Sequence, residues 1–271
     1  MPRPQTSMLR RILIQTDCAF WCIHDHLDVV GRLALPTLTA VISGGVLLVM
    51  IWRNWDVPPA YNFLAGWLVI PFLGLLLFTT LPLPCAVFAW KAAQGETVTA
   101  WECFAWCGRR AGRLTALVIK LSLLYLGSLL LLGLPLLVVW PRTCLTPLVA
   151  LFEDDRRIFR RTRKILREDL SVTLMGLLYL CMGVVLGGFV ALPRLVVGTA
   201  ALGANLVDSQ GRRLIMDHLW VFETVSIAAL LTAVAVTWWI SLTLVYHDIR
   251  SVREGEDLKG RIAAYRARVS S

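Results

Sequence analysis

The residues with the clearest capacity for chemistry are two Cys-x3-Cys pairs. Residues 17–22 read Asp-Cys-Ala-Phe-Trp-Cys, and residues 102–107 read Glu-Cys-Phe-Ala-Trp-Cys. Side chains four residues apart share one face of a helix, and cysteine sulfur is a preferred zinc ligand. If the two helices meet, the candidate ligands are Cys18, Cys22, Cys103 and Cys107, with His24 and His26 nearby. The alternative is packing, because structural zinc sites usually have Cys-x2-Cys spacing and cysteine often fills small apolar gaps.

A dense group of cations in the middle of the chain is the second candidate site. Its members are Arg156, Arg157, Arg160, Arg161, Arg163, Lys164 and Arg167. Apolar side chains recur among them at helical spacing, and the acidic residues 153–155 precede them, where the helix dipole favours negative charge. A basic amphipathic helix is typical of a surface that lies on anionic lipid, where each charge contributes about 1 kcal/mol. A binding site for a protein partner or a lipid head group is the more specific alternative.

Three isolated charges fall within apolar stretches: Lys120, Arg142 and Glu223. A charged group in hydrocarbon costs about 3 kcal/mol on insertion scales. We therefore expect Lys120 to extend to the membrane interface and Glu223 to pair with Arg142 or Arg194. The alternative role for such groups is a path for protons or substrate.

The composition predicts that these residues belong to a polytopic membrane protein. Of the 271 residues, 57% are hydrophobic and 17% are charged, and the mean hydropathy is +0.68, whereas soluble domains are about half apolar and about a quarter charged. The net charge of +9 comes from cations between apolar runs, which is typical of membrane topology signals and not of a nucleic-acid surface. Seven cysteines are an odd number, so we expect reduced thiols and no cleaved secretory signal.

The apolar runs predict six spans, each near the roughly 20 residues that a bilayer core requires. Their expected bounds are 33–52, 61–90, 114–133, 134–152, 170–193 and 218–246. Cytoplasmic loops carry an excess of Lys and Arg, so the basic segments 91–113 and 156–167 and both chain ends are expected in the cytoplasm. This requirement divides the long run 114–152 into two crossings. Residues 195–206 are too few to cross and are expected to be external, interfacial or re-entrant.

The two cysteine motifs also indicate an internal repeat. Each is followed by Gly-Arg-Leu, at residues 31–33 and 112–114, where a span begins. The apolar stripe within residues 158–166 is a third, diverged copy. The predicted fold is therefore an all-α polytopic membrane helix bundle with six transmembrane helices as three hairpins, each preceded by an interfacial amphipathic helix. The expected parts of this single domain are an interfacial helix at 1–32, the bundle at 33–246 and a basic cytoplasmic tail at 247–271.

The tail carries a motif that suggests a family. Residues 246–250 read Tyr-His-Asp-Ile-Arg, and residues 253–258 read Arg-Glu-Gly-Glu-Asp-Leu. Together with Phe152 and Glu153 before a basic helix, this resembles a broad group of largely uncharacterised bacterial polytopic membrane proteins, which includes the membrane domain attached to some glycerophosphodiester phosphodiesterases. Two residues separate the two parts of the motif, where one is usual in that group. The resemblance implies a helical fold in a bacterial inner membrane and no activity, since no phosphodiesterase barrel is expected here.

The sequence predicts a protein without enzymatic activity. It contains no P-loop, dinucleotide fingerprint, nucleophile elbow or zinc-protease motif, and neither a cofactor nor a nucleic-acid partner is expected. We expect an inner-membrane scaffold or accessory subunit whose cytoplasmic face docks membrane lipid head groups or a protein partner. The alternative is a small transporter or lipid-handling protein, in which Lys120, Glu223 and the proline-interrupted second span would line a path.

Overall fold

The architecture is helical throughout the part of the chain that the structure describes. The computed structural model describes residues 8–54, 79–130, 139–140, 142–153, 157–168, 172, 175–179, 181–182, 185, 188, 224–252 and 255. Its helices are α1 (Met8–Asp25), α2 (Leu27–Asn54), α3 (Leu83–Ala93), α4 (Ala100–Arg109), α5 (Ala111–Leu130), α6 (Thr146–Phe152), α7 (Ile158–Glu168) and α8 (Thr224–Val252). Further helical residues lie between 172 and 188. These described residues contain no strand, which confirms the predicted all-α class.

Three of the described helices are long and apolar enough to cross a membrane. They contain Leu27–Val46 in α2, Ala111–Ser128 in α5 and Thr224–Val252 in α8, with mean hydropathies of 1.5, 1.2 and 2.0. At 1.5 Å per residue, about 20 residues cover the roughly 30 Å of bilayer hydrocarbon. The chain therefore has the helices of a membrane protein. α8 is the most enclosed of the three and α2 the least, so α8 is central and α2 peripheral.

Each of the other three predicted spans falls partly outside the described residues. This holds for residues 61–78, 131–138 and 189–193, and also for the stretch 195–206 and for Glu223. α3 and α6 cover the last parts of the second and fourth predicted spans. The arrangement of six spans as three hairpins therefore stays a prediction.

The first amphipathic helix is shorter than expected. α1 ends at Asp25, and after a turn at His26 the chain enters α2 at Leu27. Residues 27–32 therefore belong to the spanning helix and not to an interfacial one. α2 continues past Pro36, because in a membrane helix neighbouring groups can bond the carbonyl that a proline leaves unpaired.

Two short helices fill the centre of the bundle. Residues 83–89 of α3 and residues 146–151 of α6 are all buried, as expected for helices that are apolar on every side. Beside them, α5 buries residues at helical spacing such as Leu117 and Leu121, while Ile119 is exposed. α5 therefore presents one side to the protein core and the other to the surroundings of the bundle.

Two tyrosine hydroxyls inside the bundle are paired with hydroxyl groups. The Tyr125 and Thr143 oxygens are 2.8 Å apart, and the Tyr179 and Ser241 oxygens are 2.6 Å apart. A polar group without a partner in hydrocarbon costs several kcal/mol. These contacts therefore help to specify how the helices lie against one another.

Gly176 marks a close approach of helices. The rings of Trp140 and Trp238 stack with 5.4 Å between centroids and 25° between planes. A Cβ atom on Gly176 would overlap the Trp140 ring. Glycine is required at this position because a larger residue would displace the Trp140 indole, which is stacked on Trp238.

The carboxyl ends of α3, α6 and α8 meet at one end of the bundle, which we call the basal end (Trp90, Phe152 and Tyr246). Trp90 stacks on Phe152 with 4.5 Å between ring centroids, and the centroid of Tyr246 is 5.8 Å from that of Trp90. α1 lies at the same end, because Gln15 Nε2 donates a hydrogen bond to Asp248 Oδ2 at 3.4 Å. The beginning of the described chain and the end of α8 are therefore adjacent.

A glycine and a capping box place α4 directly after α3. Gly95 has φ +78°, the left-handed conformation that commonly ends a helix. Thr99 and Glu102 then form a capping box, with the Thr99 backbone N–H donating to Glu102 Oε2 at 3.0 Å and the Glu102 N–H donating to Thr99 Oγ1 at 3.4 Å. Lys91 Nζ lies 5.6 Å from the ring centroid of Trp106, so α4 also lies at the basal end.

Candidate interface at the basal end

Glu153 connects three helices at the basal end. It follows α6 in an extended conformation, and its side chain is only 15% exposed. The Tyr246 hydroxyl of α8 donates a hydrogen bond to Glu153 Oε1 at 2.5 Å, and Arg161 Nε of α7 donates to Oε2 at 3.1 Å. Hydrogen bonds to a charged acceptor are about twice as strong as neutral ones. One carboxylate therefore fixes α7 against the end of α8.

Trp90 is the centre of an aromatic layer beside this carboxylate. In addition to its contacts with Phe152 and Tyr246, its ring meets the His247 ring edge-on, with 5.0 Å between centroids. The Arg250 guanidinium carbon lies 5.3 Å from the Trp90 centroid, within the range of a cation–π interaction. Aromatic pairs contribute about 0.5–1.5 kcal/mol beyond the area they bury. The layer therefore holds α3, α6 and α8 together.

The tail motif makes its contacts from two sides of α8. Tyr246 and Arg250 are four residues apart and share a helix face, from which they reach Glu153 and Trp90. Asp248 faces the other way and accepts the hydrogen bond from Gln15 of α1. Residues 246–250 therefore have a structural role, which is to join α8 to α1, to α3 and to the end of α6.

α7 packs its apolar side against the bundle. Thr162 and Ile165 are buried, and Leu166 is partly buried against the core. The exposed residues on the opposite side are Arg160, Arg163 and Lys164, and the exposed Phe159 lies at the flank. We call Arg160, Arg163 and Lys164 the basic face. Because the apolar side of α7 is covered by protein, the basic face is directed outward.

Three of the seven cations that were predicted to form the binding surface are not placed on the exposed side of α7. Arg161 is half-buried and turns toward Glu153, so it belongs to the contact that holds α7 and not to its exposed surface. Arg156 lies outside the described residues, and for Arg167 only its place in α7 is described.

The four cysteines of the paired motifs are divided between two places. Cys18 is exposed and Cys22 is half-buried on α1, whereas Cys103 is buried and Cys107 is half-buried on α4. The buried Cys85 of α3 is within electrostatic range of the α4 pair. Among the described residues, no group of three or more His, Cys, Asp or Glu side chains is placed to hold a metal ion. The pattern of spacing did not predict this division, because packing decides which face of each helix turns inward.

Burial favours the protonated form of Cys22, Cys103 and Cys107. It raises the pKa of Cys103 to about 11 and that of Cys107 to about 12, and it raises the pKa of Cys22. The thiolate is the form that binds a metal or acts as a nucleophile. At neutral pH these thiols are therefore protonated, and their reactivity is low.

The isolated charges that are described lie on the outside of the bundle. Lys120 is exposed on the same side of α5 as Ile119 and Leu123, a position from which a long side chain can extend to the membrane interface. Arg142 is exposed as well. Glu223 lies outside the described residues, so its pairing with Arg142 or Arg194 stays a prediction.

Sequence reasoning did not predict the contacts of the two tryptophans that organise the basal end. Besides Trp90, the ring of Trp106 lies 4.9 Å from the Arg110 guanidinium carbon. A signal was present for Trp106, since Arg110 stands four residues after it, whereas the cation over Trp90 is the distant Arg250. A tryptophan beside a cation at a helix end is a candidate for a cation–π contact.

Comparison with protein-family models, with curated proteins and with solved structures finds no match for this chain. The resemblance of the tail motif therefore stays a prediction.

Proposed function

We propose that this chain is a non-enzymatic scaffold or accessory subunit of a bacterial inner membrane, crossing it several times with both termini in the cytoplasm. The basal end would face the cytoplasm and dock lipid head groups or a protein partner. Cations at this end support the orientation, because cytoplasmic segments carry an excess of Lys and Arg. Examples are Arg110 beside Trp106 and Arg161 beside Glu153.

The observation that carries the proposal is the attachment of α7. Glu153 binds both Arg161 of α7 and Tyr246 of α8, so α7 is fixed while its basic face stays exposed. A surface that is already ordered loses less conformational entropy when it binds a ligand. A preorganised cationic surface at the membrane boundary is the feature that a docking protein requires.

Affinity purification from the native membrane in a gentle detergent tests this function. Mass spectrometry of the purified protein should detect a lipid or protein component whose amount falls when the basic face is neutralised by Arg160→Gln, Arg163→Gln and Lys164→Gln. The matched control is Arg32→Gln with Arg109→Gln, two exposed cations on other helices. A set of co-purifying components that is identical in all three proteins would contradict the proposal.

A small transporter or lipid-handling protein is the second candidate. One observation favours it: Thr37, Ser122 and Thr232, one from each spanning helix, have buried hydroxyl groups without a hydrogen-bond partner within the described structure. A polar path would make these positions accessible to water. In a cysteine-free background, a cysteine at position 122 should then react with a membrane-impermeant maleimide, whereas a packed interior leaves it unlabelled.

A further inference from the structure

We propose that the basic face of α7 binds the head groups of anionic phospholipids in the bilayer that surrounds the protein. This inference rests on the proposed docking function and names its ligand. The basic face is Arg160, Arg163 and Lys164, and the exposed Phe159 lies at its edge.

Among the side chains that the structure describes, none forms an ion pair with the basic face. Arg160 and Arg163 are three residues apart and Arg160 and Lys164 four apart, so like charges are neighbours on one helix surface. Residues 157–166 contain no acidic residue, and none of the three cations forms an ion pair with the rest of the described chain. The Glu153 carboxylate, which lies beside α7, is already bound by Arg161 and Tyr246. An external anion would relieve this repulsion.

The spacing of the cations fits phosphate groups at a membrane surface. Arg160 and Lys164 are separated by about 6 Å along the helix axis at 1.5 Å per residue. Arginine and lysine both bind phosphate, arginine with two parallel hydrogen bonds. Two or three phosphodiester groups lying side by side could therefore contact this face.

Exposed aromatic residues at the same end favour a bilayer over a soluble acidic partner. Phe159 is 45% exposed, Trp101 of α4 is 79% exposed and Trp21 of α1 is 60% exposed. Aromatic side chains concentrate at the level of the head groups, where an apolar ring and a polar environment coexist. Cations interspersed with such rings are typical of a surface that contacts anionic lipid.

The distance along α8 also places the basic face near the bilayer boundary. Arg161 contacts Glu153, which is bonded to Tyr246, and in the sequence of α8 the polar residues His247, Asp248 and Arg250 follow Tyr246 after a long apolar run. α7 is therefore attached where the apolar part of α8 gives way to polar residues.

Native mass spectrometry of the purified full-length protein in neutral detergent tests the inference. The protein is mixed with equal amounts of phosphatidylglycerol and phosphatidylcholine, and the ratio of the two bound lipids is measured. Each charge near an anionic surface contributes about fivefold to binding. We expect the triple variant R160Q/R163Q/K164Q to lower the preference for phosphatidylglycerol by at least tenfold.

A control variant with the same change in net charge separates a local site from general attraction. R32Q/R109Q/R142Q removes three exposed cations that lie outside α7 and should keep the preference within about twofold of wild type. Millimolar inorganic phosphate should not displace the lipid, since a free phosphate would otherwise be the ligand. Circular dichroism and gel filtration show that each variant is folded.

Two results would overturn the inference. The first is an unchanged lipid preference in the triple variant, combined with loss of a co-purifying protein. The basic face would then bind a protein partner and not lipid, and the proposed docking function would still hold. Equal losses in the triple variant and in its charge-matched control would show that net charge, and not the basic face, attracts the lipid.

Discussion

Replacing Glu153 by glutamine removes the charge that joins α7 to the end of α8. Tyr246 donates to this carboxylate at 2.5 Å, and the Glu153 side chain is 15% exposed. A hydrogen bond to a charged acceptor is worth about 1.5–3 kcal/mol. The contact with Arg161 adds about 0.5–1 kcal/mol, because the Arg161 side chain is 37% exposed and solvent screens the pair. Glutamine retains one acceptor oxygen, so we expect Glu153→Gln to lower the free energy of unfolding by about 2 kcal/mol.

The partner variant Tyr246→Phe keeps the aromatic ring and removes only its hydroxyl. We expect a loss of about 2 kcal/mol for the single variant and a coupling energy of about 1–2 kcal/mol between the two positions in the double variant. The free energies of unfolding would be measured by titrating SDS into a neutral-detergent solution of each protein. Tryptophan fluorescence reports the transition, because Trp90 contacts Tyr246.

A second tyrosine provides the control for this cycle. Tyr179 bonds Ser241 at another place in the bundle, so Tyr179→Phe should be additive with Glu153→Gln to within about 0.5 kcal/mol. Additive losses of unfolding free energy for Glu153→Gln and Tyr246→Phe, to within the same margin of about 0.5 kcal/mol, would refute this prediction. Their contact would then have no energetic role in holding α7.

Three further predictions concern single positions. Gly176→Ala should lower the free energy of unfolding by about 1–3 kcal/mol, because its methyl group overlaps Trp140, whereas Gly127→Ala has open space and should cost nothing in the same SDS titration. A soluble maleimide at pH 7 should label exposed Cys18 and leave Cys103 unlabelled, because Cys103 is buried and burial raises its pKa to about 11; mass spectrometry counts the adducts. The backbone hydrogen bond from Thr99 lowers the pKa of Glu102 below its ordinary 4.5. The ionised Glu102 carboxylate therefore stabilises the folded protein above pH 4.5, and this stabilisation is lost as the pH falls through the lowered pKa. Glu102→Gln should flatten the dependence of Tm on acid pH.

The membrane-spanning helices were predictable because their signal is local. A run of about 20 apolar residues has few alternatives to crossing a bilayer, and α2, α5 and α8 each contain such a run. The amphipathic character of α7 was predictable for the same reason, since apolar and basic residues alternate there at helical spacing. The sequence missed the end of α1 by several residues, because no residue type marks the turn at His26.

What only the tertiary structure decided is which of several equivalent residues faces inward. Arg160 and Arg161 are neighbours in one basic run, yet the first is exposed and the second binds Glu153. Cys18 and Cys103 occupy equivalent positions in two similar motifs, yet only Cys103 is buried. Composition, length and periodicity determined the helices and their membrane character, because these properties depend on each segment alone. The assembly of the basal end depends on contacts between distant segments, such as the bond across 93 residues to Tyr246, and such contacts exist only once the helices have packed.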